Sequence, residues 1–209
     1  MKHKRWLQEN HDEIYQAYLE FVYQDFTGFV RYSLLEEQKF IKENICVTYG
    51  ELLYPSVKTI LKKIRLEEDD CFLDLGSGIG KFILTLYLLS PLKKIIGFEA
   101  SKSLFDQSVQ ALLRFGSIPE LKSLDRKIIL EEGNFLQKDW QGATIVYACA
   151  TCFTQTLLDE IGEKINQTPS IRQVLSLKPL STLQRLPFRE IFDVECSWDS
   201  ALCYYYHDF

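Results

Sequence analysis

Asp74, Gly76, Gly78, Gly80 and Lys81 stand in the run FLDLGSGIGKF, residues 72–82. An apolar run enters an acid, glycines follow at every second position, and a second apolar run leaves. Glycines let a ligand approach the backbone and let the chain turn sharply. A turn that opens a helix also offers unpaired N–H groups and the positive end of the helix dipole. The spacing excludes two common ligands. A dinucleotide fingerprint reads G-x-G-x-x-G, and Lys81 occupies the place of its third glycine. A nucleotide phosphate loop closes on Gly-Lys followed by Ser or Thr, whereas Phe82 follows here. Asp74 would repel a pyrophosphate and attract a cation. Glu99 ends the next apolar run, KKIIGFE, where a carboxylate can accept from both hydroxyls of a ribose.

The pattern D-x-G-x-G-x-G, with Asp74 at a strand end, resembles the S-adenosylmethionine motif of class I methyltransferases. That donor carries an ammonium, a sulfonium and an adenosine but no pyrophosphate. An acid beside the loop and a second acid at the ribose suit it.

The elements around the loop must hold these groups. CFLDL reads as a buried strand and GKFILTLYLLS as a helix stopped at Pro91. KKIIGFE, KIILEEG, ATIVYACA and RQVLSLKP read as further strands, with SKSLFDQSVQALLRFG and TQTLLDEIGEKI as helices among them. Alternation of this kind builds a mostly parallel sheet with helices on both faces. FREIFDVECSW and ALCYYYHDF are separated only by Asp199 and Ser200, which predicts a terminal hairpin with an antiparallel last strand. The expected fold is therefore α/β: the seven-stranded, Rossmann-like class I methyltransferase sheet. Before it, HDEIYQAYLEFVYQDF and SLLEEQKFIKEN read as helices, the first with Ile14, Tyr18, Phe21, Val22 and Phe26 on one face, the second with Ser33 as N-cap. A further helix follows over PSVKTILKKI, with Val57, Ile60, Leu61 and Ile64 inward. We expect a helical subdomain over 1–44 and the methyltransferase domain over 45–209.

Tyr49-Gly50-Glu51, a helix, DLGSGIGK, GFEAS and GNFL follow one another in order. The order resembles the catalytic core of the disruptor-of-telomeric-silencing family of histone-lysine methyltransferases, which lack a SET domain and use the class I fold. The likeness runs from Ile45 to Phe209. It implies that Tyr49, Gly50 and Glu51 form the loop closing over the donor, with Glu51 on the ammonium. It implies that Asp74, Gly76, Ser77, Gly78 and Gly80 form the glycine motif and that Glu99 binds the ribose. Asn134 and Phe135 match the family's Asp-Phe at the adenine, where an amide still accepts from the adenine amino group. The family's motif after the fourth strand carries paired asparagines; this chain has Cys149 and Ala150, with Thr151 and Phe153 beyond them. Thr151 offers a hydroxyl, Phe153 and Trp198 an aromatic wall, and Tyr206, ahead of Tyr205, matches the aromatic lining of the lysine channel. The implied reaction moves a methyl group to a nitrogen, a protein lysine. Loss of the asparagines keeps two other readings open: a small-molecule acceptor, and a donor-binding module without catalysis.

Composition sets outer bounds. The chain has 209 residues, 46% of them hydrophobic and 25% charged, with a net charge of −5, the balance of an ordinary globular domain. A large non-specific nucleic-acid surface would be basic, so the charge does not support nucleic-acid or nucleosome binding. MKHKR and the pairs Lys62-Lys63 and Lys93-Lys94 read as solvated surface. No apolar stretch is long enough to predict a membrane helix, and the start does not read as a signal peptide. Six cysteines in this context read as reduced thiols of a cytoplasmic protein. One C-x-x-C pair, Cys149 and Cys152, is too little for a zinc site, and no metal is expected.

Overall fold

A computed structural model describes residues 11–43, 45–46, 48–121, 126–140 and 142–209. The basic start at residues 1–5 lies outside them. Seven strands form one sheet in the order β3-β2-β1-β4-β5-β7-β6. In chain order they are β1 (Cys71–Leu75), β2 (Lys94–Glu99), β3 (Lys127–Glu132), β4 (Ile145–Ala148), β5 (Gln173–Ser176), β6 (Phe188–Glu195) and β7 (Ser200–His207). The first five are parallel; β7 is antiparallel to β5 and to β6. This is the expected class I methyltransferase sheet, and the hairpin read from the short gap at Asp199 and Ser200 is present.

The central strands explain themselves. β1, β4 and β5 are buried along their whole length, as strands covered by helices on both faces must be. The side chains of these strands and of β2 alternate between two cores. Phe72, Ile95, Ile145, Tyr147 and Leu175 face one; Leu73, Leu75, Phe98, Val146, Ala148 and Val174 face the other. Each full aliphatic burial contributes about 1.5–3 kcal/mol.

Six helices occur among the described residues: α1 (Asp12–Tyr23), α2 (Leu34–Glu43), α3 (Tyr54–Lys63), α4 (Lys81–Leu89), α5 (Lys102–Gly116) and α6 (Gln155–Asn166). Helix α4 is buried at every position except Lys81. A helix apolar all round needs cover on all sides, and α1 supplies part of it. Leu19, Val22 and Tyr23 of α1 join the same buried cluster as α3 and α4, and the Tyr23 hydroxyl donates to the Ile79 carbonyl at 3.1 Å. The buried stripe of α1 differs from the expected one: Ile14 and Phe21 are half exposed. The stripe through Leu19, Val22 and Tyr23 wins because it meets α4.

Helix α2 opens on a capping box. Ser33 Oγ accepts from the Glu36 N–H at 3.3 Å, and Glu36 accepts from the Ser33 N–H at 3.2 Å. Glu36 also accepts from the Ser103 N–H at 3.0 Å and the Ser103 hydroxyl at 2.7 Å. Burial would raise the pKa of this carboxyl, but the Ser103 and Ser33 donors outweigh it and bring it down to about 2. These bonds moor α2 beside the end of β2, where Glu99 stands. No helix among the described residues is long and apolar enough to cross a membrane.

Candidate donor-binding site

The carboxyl ends of β1, β2 and β4 open into a cleft of about 780 Å³, within the range of small-ligand sites. Ligands of open α/β sheets bind at this edge. The glycine turn leaves β1 with Gly76, Gly78 and Gly80 all at positive φ, 87°, 55° and 80°, a region closed to most side chains. The turn is anchored from β2: the Phe98 carbonyl accepts from the Gly76 and Ser77 N–H groups, each at 2.9 Å.

Glu99 is buried at the end of β2. Its Oε2 accepts from the Gly78 N–H at 2.7 Å and its Oε1 from the Ser101 N–H at 2.8 Å. A carboxylate has about four acceptor positions, so two remain for a ribose. Asp74 is buried beside it, and its Oδ1 has no hydrogen-bond partner. Burial, with the Glu99 charge adding, pushes the Asp74 carboxyl well above the usual carboxylate range. A buried acceptor left unpaired is costly, and a cationic ligand group completes it.

The Tyr49-Gly50-Glu51 loop forms the roof. The terminal hairpin pins it: Ser197 N–H donates to the Glu51 carbonyl at 2.7 Å, Glu51 N–H donates to Ser197 Oγ at 3.0 Å, and Leu52 bridges Cys196. A Cβ on Gly78 would lie 2.8 Å from the Tyr49 ring, and a Cβ on Gly50 would lie 2.1 Å from Trp198. We expect Gly50→Ala to leave the fold intact but displace Trp198. A shifted tryptophan emission with weakened donor binding would record it; unchanged emission and affinity would contradict this packing.

Of the residues expected at the site, Tyr49, Gly50, Glu51, Asp74, Gly76, Ser77, Gly78, Glu99, Asn134, Phe135, Cys149, Thr151 and Phe153 all line the cleft. Glu51 already carries two bonds of its own. Its Oε1 accepts from the Tyr49 hydroxyl at 2.6 Å and its Oε2 pairs with Lys81 at 2.7 Å, so Asp74 offers the unpaired acceptor. Asn134 caps a short 3-10 turn by accepting from the Leu136 N–H at 2.9 Å, and one lone pair of its oxygen remains. Phe135 lies in the core and on the cleft wall, with its ring 5.8 Å from that of Phe153. Cys149 faces the cleft, while Ala150 is in the core. Burial pushes the Cys149 thiol up to about 12, so it stays protonated.

Two expected site residues are not in the cleft lining. Gly80 serves the turn: it caps α4 in the left-handed conformation, and its N–H donates to the Ser77 carbonyl at 2.9 Å. Tyr206 belongs to the opposite core. It pairs with Val174 on the sheet face away from Asp74, and its hydroxyl accepts from the Leu180 N–H at 3.0 Å. Tyr205 is buried too, donating to Gln173. Phe153 and Trp198, both expected in the aromatic wall, line the cleft, with Tyr32 and Phe40 from the helical region. Lys81 and Tyr147 also line the cleft; in the sequence each reads only as part of a helix start or a core strand.

Fold and site together define the class I methyltransferase fold, with an open ligand cleft at the carboxyl edge of its sheet. Residues 33–196 match the family described as Histone methylation protein DOT1, and the chain belongs to that family. It is 27% identical over 158 residues to the Drosophila melanogaster "Histone-lysine N-methyltransferase, H3 lysine-79 specific", covering 70% of this chain but 8% of that protein. Among solved structures, the tRNA methyltransferase TrmK of B. subtilis aligns with a TM-score of 0.56 at 14% identity, over 75% of this chain and 67% of its own. Aeropyrum pernix fibrillarin with natively bound S-adenosyl-L-methionine aligns at 0.50 and 15% identity, over 73% and 75%. At these identities the structural likeness shows the fold alone.

Proposed function

We propose that this chain transfers a methyl group from S-adenosylmethionine to the side-chain nitrogen of a protein lysine. The observation that carries the reading is the unpaired, buried Asp74 Oδ1 beside Glu99, in a cleft lined by nearly every residue of the family motifs. The donor, when bound, supplies a methyl group on a sulfonium that is already an activated leaving group. Asp74 takes its ammonium, Glu99 its ribose hydroxyls, and Phe135 packs on its adenine. Cleft and loop hold nucleophile and methyl close and in line, which is where the rate enhancement lies. A lysine of pKa about 10.4 is mostly charged at neutral pH. The apolar wall of Phe153 and Trp198 disfavours the ammonium and lowers that pKa. Helices α1 and α2 serve as a cap on the transfer domain 45–209. Six free thiols support a reducing, cytoplasmic setting. The substrate is a protein; net charge gives no support for a nucleosome grip.

Cys149 and Ala150, in place of amides that would direct an amine, favour a second reading with a small-molecule acceptor. One experiment separates the two. Purified protein is incubated with methyl-labelled donor and cell lysate, and the products are fractionated. Base-stable label in protein, found on lysine by mass spectrometry, is the expected outcome. Label confined to small molecules would overturn the lysine assignment.

A further inference from the structure

Two buried side-chain oxygens in the cleft lack a hydrogen-bond partner: Asp74 Oδ1 and Tyr147 Oη. Both residues are 2% exposed, so bulk water does not satisfy them. They are neighbours by register, since Asp74 pairs with Tyr147 across β1 and β4. Paired residues of adjacent strands project to the same face of the sheet. The Tyr147 ring is held against Phe82, with centroids 4.5 Å apart. Its hydroxyl stands within reach of the Cys149 thiol, a weak acceptor toward which it can donate, but it makes no hydrogen bond of good geometry. Native structures leave few buried polar groups unpaired, and an exception calls for an explanation.

The explanation follows from donor and acceptor chemistry. An ionised Asp74 only accepts. A ligand whose ammonium lies on it must turn its own carboxylate toward a hydrogen-bond donor. A phenol hydroxyl donates as well as accepts, and burial keeps this one protonated. We infer that Tyr147 is a donor-binding residue whose hydroxyl donates to the carboxylate of the amino-acid end of S-adenosylmethionine, beside Asp74. The inference rests on the reading of this cleft as the methyl-donor site.

Tyr147→Phe removes only the hydroxyl and keeps the ring on Phe82. Calorimetry would measure binding of S-adenosylhomocysteine and of methylthioadenosine, which keeps the adenosine but has no amino-acid end. We expect the variant to bind S-adenosylhomocysteine about tenfold more weakly and methylthioadenosine as well as the parent does. The donor-free melting temperature should hold or rise, because an unpaired buried hydroxyl is gone. Equal affinity of parent and variant for S-adenosylhomocysteine, or equal weakening of both ligands, would overturn the inference while leaving the donor reading intact. Failure of the parent to bind either ligand would overturn the donor reading and the inference with it.

Discussion

Asp74→Asn will weaken S-adenosylhomocysteine binding roughly a hundredfold and yet raise the melting temperature of the donor-free protein. The loss of affinity follows from removing one member of a desolvated charge pair, which costs about 2–5 kcal/mol. The gain in stability follows from the raised pKa of Asp74, caused by burial and the Glu99 charge. At a pH between the ordinary value of 3.8 and the raised folded one, the unfolded chain has released a proton that the folded chain keeps. Stability therefore falls as pH rises through that window. Asparagine has no such titration. The variant should therefore melt higher than the parent at neutral pH, and the gain should vanish below the ordinary carboxylate pKa. The parent should release a proton on binding a cationic ligand, and its affinity should fall as pH drops. Titrations in two buffers of different ionisation heat would measure the proton. A variant that binds normally, or melts lower at neutral pH, would contradict this role.

Glu99→Gln should act the other way in the donor-free protein, although burial raises this carboxyl too, because the amide cannot satisfy both backbone donors. The carboxylate accepts from two buried backbone N–H groups, of Gly78 and Ser101. An amide has one oxygen, so its NH2 must face one of those N–H groups, and a buried donor goes unpaired. That costs about 1–3 kcal/mol, and a melting temperature about 2–10 °C lower should record it. The same amide offers the ribose fewer acceptor positions and disturbs the glycine turn through Gly78, so affinity should fall about thirtyfold. A thermal melt with and without S-adenosylhomocysteine reads both effects. Asp74 and Glu99 are adjacent acids in one cleft, but only Glu99 is tied into the backbone. Equal melting of the two variants would contradict that distinction.

What was legible in the sequence was local. The glycine turn, Asp74 and Glu99 are read at fixed offsets from strand ends, and each lines or shapes the cleft. The alternation of strand and helix was legible because buried parallel strands are continuous apolar runs. What was not legible depends on register or on distant pairing. Tyr206 and Tyr205 differ by one position, and only the pairing of Tyr206 with Val174 shows that it faces away from Asp74. Tyr147 reads as one more apolar residue of β4 until its pairing with Asp74 places it on the cleft floor. The Lys81–Glu51 pair joins residues thirty positions apart, and no spacing rule announces it. The stripe of α1 was ambiguous because apolar residues fall on two adjacent faces, and contact with α4 decides between them.

The most direct test of the central claim is calorimetric titration of the purified chain at mildly alkaline pH with S-adenosylhomocysteine, and separately with a nicotinamide dinucleotide. The account predicts saturable one-site binding of S-adenosylhomocysteine, lost in Asp74→Asn, and no binding of the dinucleotide. Binding of the dinucleotide, or no heat with S-adenosylhomocysteine, would contradict the assignment of this cleft to a methyl donor.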